Sequence, residues 1–208
     1  MELIRKYFPD LTLEQLEQLN LLGDLYSSWN QKINLISRKD MSHLYERHIL
    51  HSLGIYKYIP FKSGAKILDV GTGGGFPGIP LAICNPEAEF HLSDSIRKKI
   101  TVVDDVIQQL QLKNCKGINA RAENISETYH FIVSRAVSNF PDFHKLIHKK
   151  IRRKNIDPLK KNGIIYLKGG DFTAEIKSFK KKMEIINLSD YFQEEFFTTK
   201  NILYLPFG

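Results

Sequence analysis

An α/β fold with a mostly parallel sheet is what this chain of 208 residues predicts, on three observations. From residue 66 onward, short runs rich in Ile, Val and Leu alternate with longer amphipathic stretches. The first run ends directly on GTGGGFPG, with five glycines among positions 71–78. Such a loop follows a strand where an open α/β sheet receives its ligands. Residues 1–60 carry helical spacing only, so they read as a helical extension packed on a main domain that covers 61–208.

The elements follow in order. TLEQLEQLNLLGDLYSSWN places Leu13, Leu16, Leu19, Leu22 and Tyr26 near helical spacing, with Thr12 as cap and Gln15 at the capping-box position. Tyr26 and Trp29 read as core residues. A second helix is expected over about 40–58, from Asp40 to just before Pro60. KILDV (66–70) is a strand, and FPGIPLAICNP a helix whose prolines fall in its first turn, where they are tolerated. EFHLSD (89–94) is the next strand, followed by a helix from Ser95 to about Leu112. KGINAR, HFIVSR and GIIYLK supply three more strands, with a helix from about Pro141 to Lys154 between the last two. MEIINL and NILYLPF form an antiparallel hairpin at the sheet edge, which brings the count to seven strands.

Composition narrows the partners. Thirty Lys and Arg against 23 Asp and Glu give a formal charge of +7, permissive for nucleic acid without demanding it. Cys84 and Cys115 are too few for a disulfide framework or a metal cluster, and read as free thiols. MELIRKYFPD lacks the apolar core of a signal peptide, and no run approaches the ~18 apolar residues of a membrane span. The expectation is a soluble, cytoplasmic monomer with no membrane partner.

The glycine loop has two readings. Gly73-x-Gly75-x-x-Gly78 satisfies the dinucleotide spacing GxGxxG, which would make the protein an NAD-dependent dehydrogenase. But Phe76, Pro77 and Pro80 crowd the helix start that a pyrophosphate needs bare, and proline supplies no N–H. This favours a nucleoside with an amino-acid tail. Asp69 is placed to organise the loop amides, and Asp94, at the end of the second strand, to accept from ribose hydroxyls.

These residues also carry a resemblance. DVGTGGGFPGIPLAI resembles the first motif of the Rossmann-like class I methyltransferases that use S-adenosylmethionine. More narrowly, it is similar to the bacterial small-subunit ribosomal RNA guanine-N7 methyltransferases, the glucose-inhibited division protein B family. WNQKINLIS (29–37) and RHILHSL (47–53) match that family's helical leader, LSDSIRKK (92–99) its second motif and ARAEN (120–124) its third. VSRAV (133–137) and YLKGG (166–170) match the remaining two. The departures lie mainly at the carboxyl end, which here reads NILYLPFG.

The resemblance implies a fold of seven strands covered by helices on both faces. It implies cofactor contacts at Gly71 and Phe76 in the loop, at Ala122 and Glu123 around the adenine, and at Arg135 after the fourth strand. The residue reading adds Gly73 of the glycine loop, and Asp94. The implied partner is small-subunit ribosomal RNA, free or in an assembling subunit, with Arg47, His48 and Lys168 as expected contacts. Lys150, Arg152 and Arg153 belong to a run with five basic residues among 149–154, a candidate phosphate surface.

Guanine N7 has a lone pair and no hydrogen, so no general base is required. Lys168 and Arg135, at the ends of neighbouring strands, are the candidate catalytic residues, acting by orientation and charge. His144 and His148, four residues apart without a third ligand, read as a solvated face and not as a metal site. A rival reading keeps the fold and the RNA but drops the reaction, leaving a non-catalytic ribosome assembly factor.

Overall fold

The computed structural model describes residues 1–135 and 138–207, Arg38 by its backbone only. Ala136 and Val137, the last two residues of VSRAV, lie outside the described residues. The leader forms α1 (Glu2–Tyr7) and α2 (Leu13–Lys32). α2 opens on a complete capping box: Gln15 N–H donates to Thr12 Oγ1 at 3.2 Å, and Thr12 N–H to Gln15 Oε1 at 3.0 Å.

The single helix expected over 40–58 is instead three pieces: α3 (Arg38–Met41), a π-helical stretch (Leu44–Leu50) and α4 (His51–Tyr58). The tertiary partner explains the widened turn. His51 N–H donates to Glu46 O, five residues back, while Arg47 O accepts from Arg135 Nη1 at 3.2 Å. Wide turns of this kind recur at functional sites.

Seven strands follow: β1 (Lys66–Val70), β2 (Glu89–Asp94), β3 (Cys115–Asn119), β4 (Phe131–Arg135), β5 (Gly163–Gly169), β6 (Glu184–Asn187) and β7 (Lys200–Pro206). Their order across the sheet is β3-β2-β1-β4-β5-β7-β6. The pairs from β3 to β5 are parallel, and β7 runs antiparallel between β5 and β6. The expected hairpin is therefore present, with its second strand on the inside. Strand order reverses at β1, between β2 and β4, which puts the glycine loop at the switch point.

Period-two alternation separates two apolar layers. Ile67, Val133, Ile165, Leu167 and Ile202 face one cluster, shared with Leu19, Leu22 and Tyr26 of α2, with Ile79 and Leu81 of α5 (Gly78–Cys84), and with Val102, Val103 and Val106 of α6 (Arg97–Gln109). Leu68, Ile132, Ile164, Tyr166 and Leu203 face the other, under Phe140, Phe143 and Ile147 of α7 (Phe140–Ile147). The leader is thus continuous with the core of one face.

Two boundaries move for identifiable reasons. α6 starts at Arg97 rather than Ser95 because Asp94 Oδ1 accepts the Ile96 N–H at 2.9 Å. α7 ends at Ile147, followed by a 3-10 turn (His148–Lys150), well short of Lys154. Buried Ile151 requires an extended backbone there, and it bridges Tyr129: Tyr129 N–H donates to Lys150 O and Arg152 N–H to Tyr129 O, both at 2.8 Å.

Candidate functional site

The glycine loop is built around one buried carboxylate. Asp69, the penultimate residue of β1 before the loop, is fully buried; its Oδ2 accepts from Thr72 Oγ1 at 2.6 Å and from Gly78 N–H at 2.8 Å. Desolvation pushes its pKa up to about 7, against the pull of those two donors.

The glycines are there for two different reasons. Gly71 and Gly73 have φ of +67° and +60°, which a side chain resists. At Gly74 and Gly78 the constraint is space: a Cβ would stand 2.7 Å from Leu35 and 2.6 Å from Leu92. The leader seals the loop from behind, with the buried Tyr26 hydroxyl donating to Gly74 O and its ring 4.8 Å from that of Phe76.

Around the loop stand the other walls. Asp94 Oδ2 accepts from Gly73 N–H at 3.1 Å, and its Oδ1 holds Ile96. Lys99 Nζ stands 3.6 Å from that same Oδ2. Each carboxylate oxygen can accept two hydrogen bonds, so Oδ1 keeps a place for an incoming donor, and one at Oδ2 would enter beside Lys99. Ala122 and Glu123 lie on a 3-10 turn (Ala122–Asn124) that faces the same space.

Opposite, Arg135 lies 5.4 Å above the Phe76 ring, with Nη2 3.0 Å from His48 Nδ1. Burial lowers the Arg135 pKa to about 10, which leaves it charged at neutral pH. Burial, with Arg135 as the next cause, lowers His48 to about 4, so its ring is neutral and accepts from the guanidinium.

Together these groups enclose a cavity of about 640 Å³. Gly71, Gly73, Phe76, Asp94, Ala122, Glu123, Arg135 and His48 all border it. The remaining expected site residues do not. Arg135 aligns with Leu167 in the β4–β5 register, so Lys168, one residue on, points to the opposite face of the sheet. There it pairs with Glu175 at 2.9 Å. Proximity at a strand end had suggested a shared site; the pleat separates the two cations.

Arg47 pairs with Asp40 at 3.0 Å behind His48. Lys150 turns inward to the carbonyls of Glu123 and Ile125, and Arg152 donates through Nε to Thr128 O at 3.0 Å. Arg153 is exposed and away from the cavity.

Sequence reasoning missed Leu35, Ile96 and Leu146 as cavity walls. Ile96 is an exposed apolar residue two positions after Asp94, 50% accessible, and that oddity of position was its only signal.

A nucleoside with an amino-acid tail fits this donor set. The cavity offers carboxylate oxygens beside backbone N–H groups, an apolar Ile96 wall and unfilled space where a Gly73 Cβ would project. Its volume lies within the ~300–1,000 Å³ usual for cofactor sites. Fold and site define a class I methyltransferase, an enzyme class whose methyl donor is S-adenosylmethionine.

Solved structures agree on the fold. A tRNA methyltransferase from Aquifex aeolicus matches with TM-score 0.55 at 14% identity, covering 76% of this chain and 68% of that one. A coclaurine N-methyltransferase solved with SAH matches with TM-score 0.52 at 12% identity, covering 67% and 50%.

Closer relatives exist in sequence. A family model described as rRNA small subunit methyltransferase G matches residues 15–203. Proteins named ribosomal RNA small subunit methyltransferase G are 55% identical in Christiangramia forsetii, over 99% of this chain and 97% of that one, and 53% identical in Bacteroides thetaiotaomicron, over 98% of each. The chain belongs to the rRNA small subunit methyltransferase G family. Neither the dehydrogenase nor the non-catalytic reading is favoured by these relatives.

Proposed function

We propose that this chain methylates N7 of a guanine in small-subunit ribosomal RNA, with S-adenosylmethionine held in the cavity at the carboxyl edge of the sheet. The observation that carries the reading is the convergence of the glycine loop, Asp94 and the Ala122–Glu123 turn on one cavity at the switch point. A ribose would take the free acceptor positions of Asp94, an adenine would rest on Ile96 beside Ala122 and Glu123, and the tail would meet the Gly71–Gly73 backbone.

The bound cofactor supplies a methyl group activated by a sulfonium. Guanine N7 brings its own lone pair; methyl transfer would form the N–C bond as the S–C bond breaks, and would pass positive charge to the base. No residue has to remove a proton. This suits a cavity whose wall holds a neutral His48, a charged Arg135 and no cysteine.

Arg135 uses two of its five N–H donors on Arg47 O and His48, which leaves others for a carboxylate or a purine carbonyl. Lys168, on the other face, supports the strand ends through Glu175. That carboxylate also accepts the first backbone N–H of α7, from Phe140 at 3.0 Å.

Among the described residues no helix is long and apolar enough to cross a membrane, which is compatible with work on ribosomal RNA in the cytoplasm. The test is single-turnover transfer of labelled methyl to small-subunit RNA and to assembling subunits, with mass analysis of the modified nucleoside. N7-methylguanosine, at a rate flat from about pH 6 to 9, is expected. Label on another atom, or a rate rising tenfold per pH unit, would overturn it.

A further inference from the structure

A second cavity, of about 850 Å³, lies at the other end of the sheet. Its walls are the end of β7 with Phe207 just beyond it, His144 of α7 and the segment 177–182. The register fixes its distance from the first. Pro206 pairs with Gly163 at the start of β5, whereas Lys200 pairs with Gly169 at its far end. A strand of this length spans about 20 Å, so the groove sits at the amino edge, roughly that far from the cofactor cavity.

Its chemistry is one-sided. Among the described residues Lys161, Lys177, Lys181 and Lys182 line it, and no Asp or Glu does. Lys177, Lys181 and Lys182 are exposed, and among the described residues none of the three has a carboxylate within ion-pair distance. The like charges of these three repel each other until an anion arrives.

Between the lysines stands a group of rings. His144 lies 4.9 Å from Phe179 and 5.9 Å from Phe207, nearly parallel to the latter at 25°. Burial holds the His144 pKa below its usual value, with His148 adding to that, so the ring is predominantly neutral at pH 7 and stacks as an aromatic surface. The walls are held in place: Phe207 N–H donates to Asn162 O at 2.8 Å, and the Asn162 side chain ties down the carbonyls of Arg152 and Lys154, each at 2.8 Å.

Cationic side chains that track a backbone, interleaved with rings that receive bases, are what single-stranded nucleic acid binds without sequence readout. We propose that this groove is a second RNA-binding site, one that anchors a single-stranded stretch of the substrate RNA away from the methylated base. Lys177, Lys181 and Lys182 contact phosphates; Phe179, Phe207 and His144 stack a base. The inference rests on the functional reading above for its partner, and not on the cavity assigned to the cofactor.

The test uses the full chain, a fluorescein-labelled oligouridylate of about 12 nucleotides, and anisotropy across a salt series. Joint replacement Lys177→Ser, Lys181→Ser and Lys182→Ser is expected to weaken binding about tenfold and lower the salt slope by about 2. The KM for small-subunit RNA rises with kcat unchanged, and calorimetric affinity for S-adenosylmethionine stays that of the wild type. Phe207→Ala is expected to weaken binding about tenfold with the slope unchanged, since stacking releases no counterions.

Wild-type affinity and slope in the triple variant overturn the groove. Displacement of the oligonucleotide by polyglutamate as readily as by unlabelled RNA, with no effect of Phe207→Ala, makes it a site for acidic protein and also overturns it. A wild type that transfers no methyl to RNA overturns the functional reading instead, and leaves the anisotropy result to judge the groove.

Discussion

The two ends of the sheet treat charge in opposite ways. At the carboxyl edge, Asp69, Asp94, His48 and Arg135 are largely withdrawn from water and bond to backbone groups, to the Thr72 hydroxyl or to each other, with Asp69 Oδ1 left without a partner among the described residues. At the amino edge, Lys177, Lys181 and Lys182 stand in solvent without carboxylate partners among the described residues. The first arrangement suits a small ligand, because pre-aimed polar groups in a dry cavity need little reorganisation. The second suits a polyanion, whose affinity comes from released counterions and not from fixed geometry. Basic residues in this protein therefore have to be judged by where their side chains end, not by how densely they cluster in the sequence.

The largest effect that would break this comparison is at the loop. Gly71→Val forces a β-branched side chain into φ near +67° at the cavity wall. Cofactor affinity is expected to fall more than about 100-fold, read by calorimetry, while circular dichroism shows a folded protein. Next in size is the contrast between two cations at neighbouring strand ends. Arg135→Ala should slow single-turnover methyl transfer about 100-fold. Lys168→Ala, acting from the other face, should slow it less than about threefold. Equal losses would place both in the site.

Asp94→Ala removes the acceptor of the Gly73 and Ile96 amides as well as the proposed ribose contact. A loss of about 1–3 kcal/mol in cofactor binding is expected, and unchanged affinity would remove Asp94 from the site.

A finer test uses pH. The His48 pKa is lowered to about 4 in the fold, from ~6.5 when unfolded, so the unfolded chain takes the proton first. Stability from this residue is lost as pH falls from about 6.5 to 4. Asp69 is raised to about 7, so it favours the fold when protonated, and its contribution is lost as pH rises from about 4 to 7. The two slopes oppose each other. Urea unfolding at pH 4.5 and 7 should show His48→Gln relatively more stable on acidification and Asp69→Asn relatively less, each by on the order of 2 kcal/mol.

The smallest effect separates members of the basic run. Lys150→Ser loses carbonyl contacts inside the protein and should cost about 1 kcal/mol of stability. Arg153→Ser, at an exposed residue, should cost none and lower the RNA salt slope by about 0.7–0.9 if it meets a phosphate. The reverse pattern would mean that Lys150 is the one facing RNA.

What the sequence determined by itself is whatever depends on a few consecutive residues. The capping box at Thr12 and Gln15, the β-runs, and the loop that needs Gly71 and Gly73 at positive φ are all local constraints on backbone angles and period. Seven strands and most of the cofactor cavity were legible for that reason. Tertiary structure decided where charge goes. The same basic character along 149–154 becomes an internal tie at Lys150 and Arg152 and a solvated side chain at Arg153. Lys168 and Arg135, both at strand ends, part company because the pleat sends one to Glu175 and the other to His48. The π-helical turn at Leu44–Leu50 and the early end of α7 likewise answer to partners far along the chain, Arg135 in one case and Tyr129 in the other. Desolvation and pairing depend on which distant groups arrive beside a side chain, and no window of neighbouring residues contains that information.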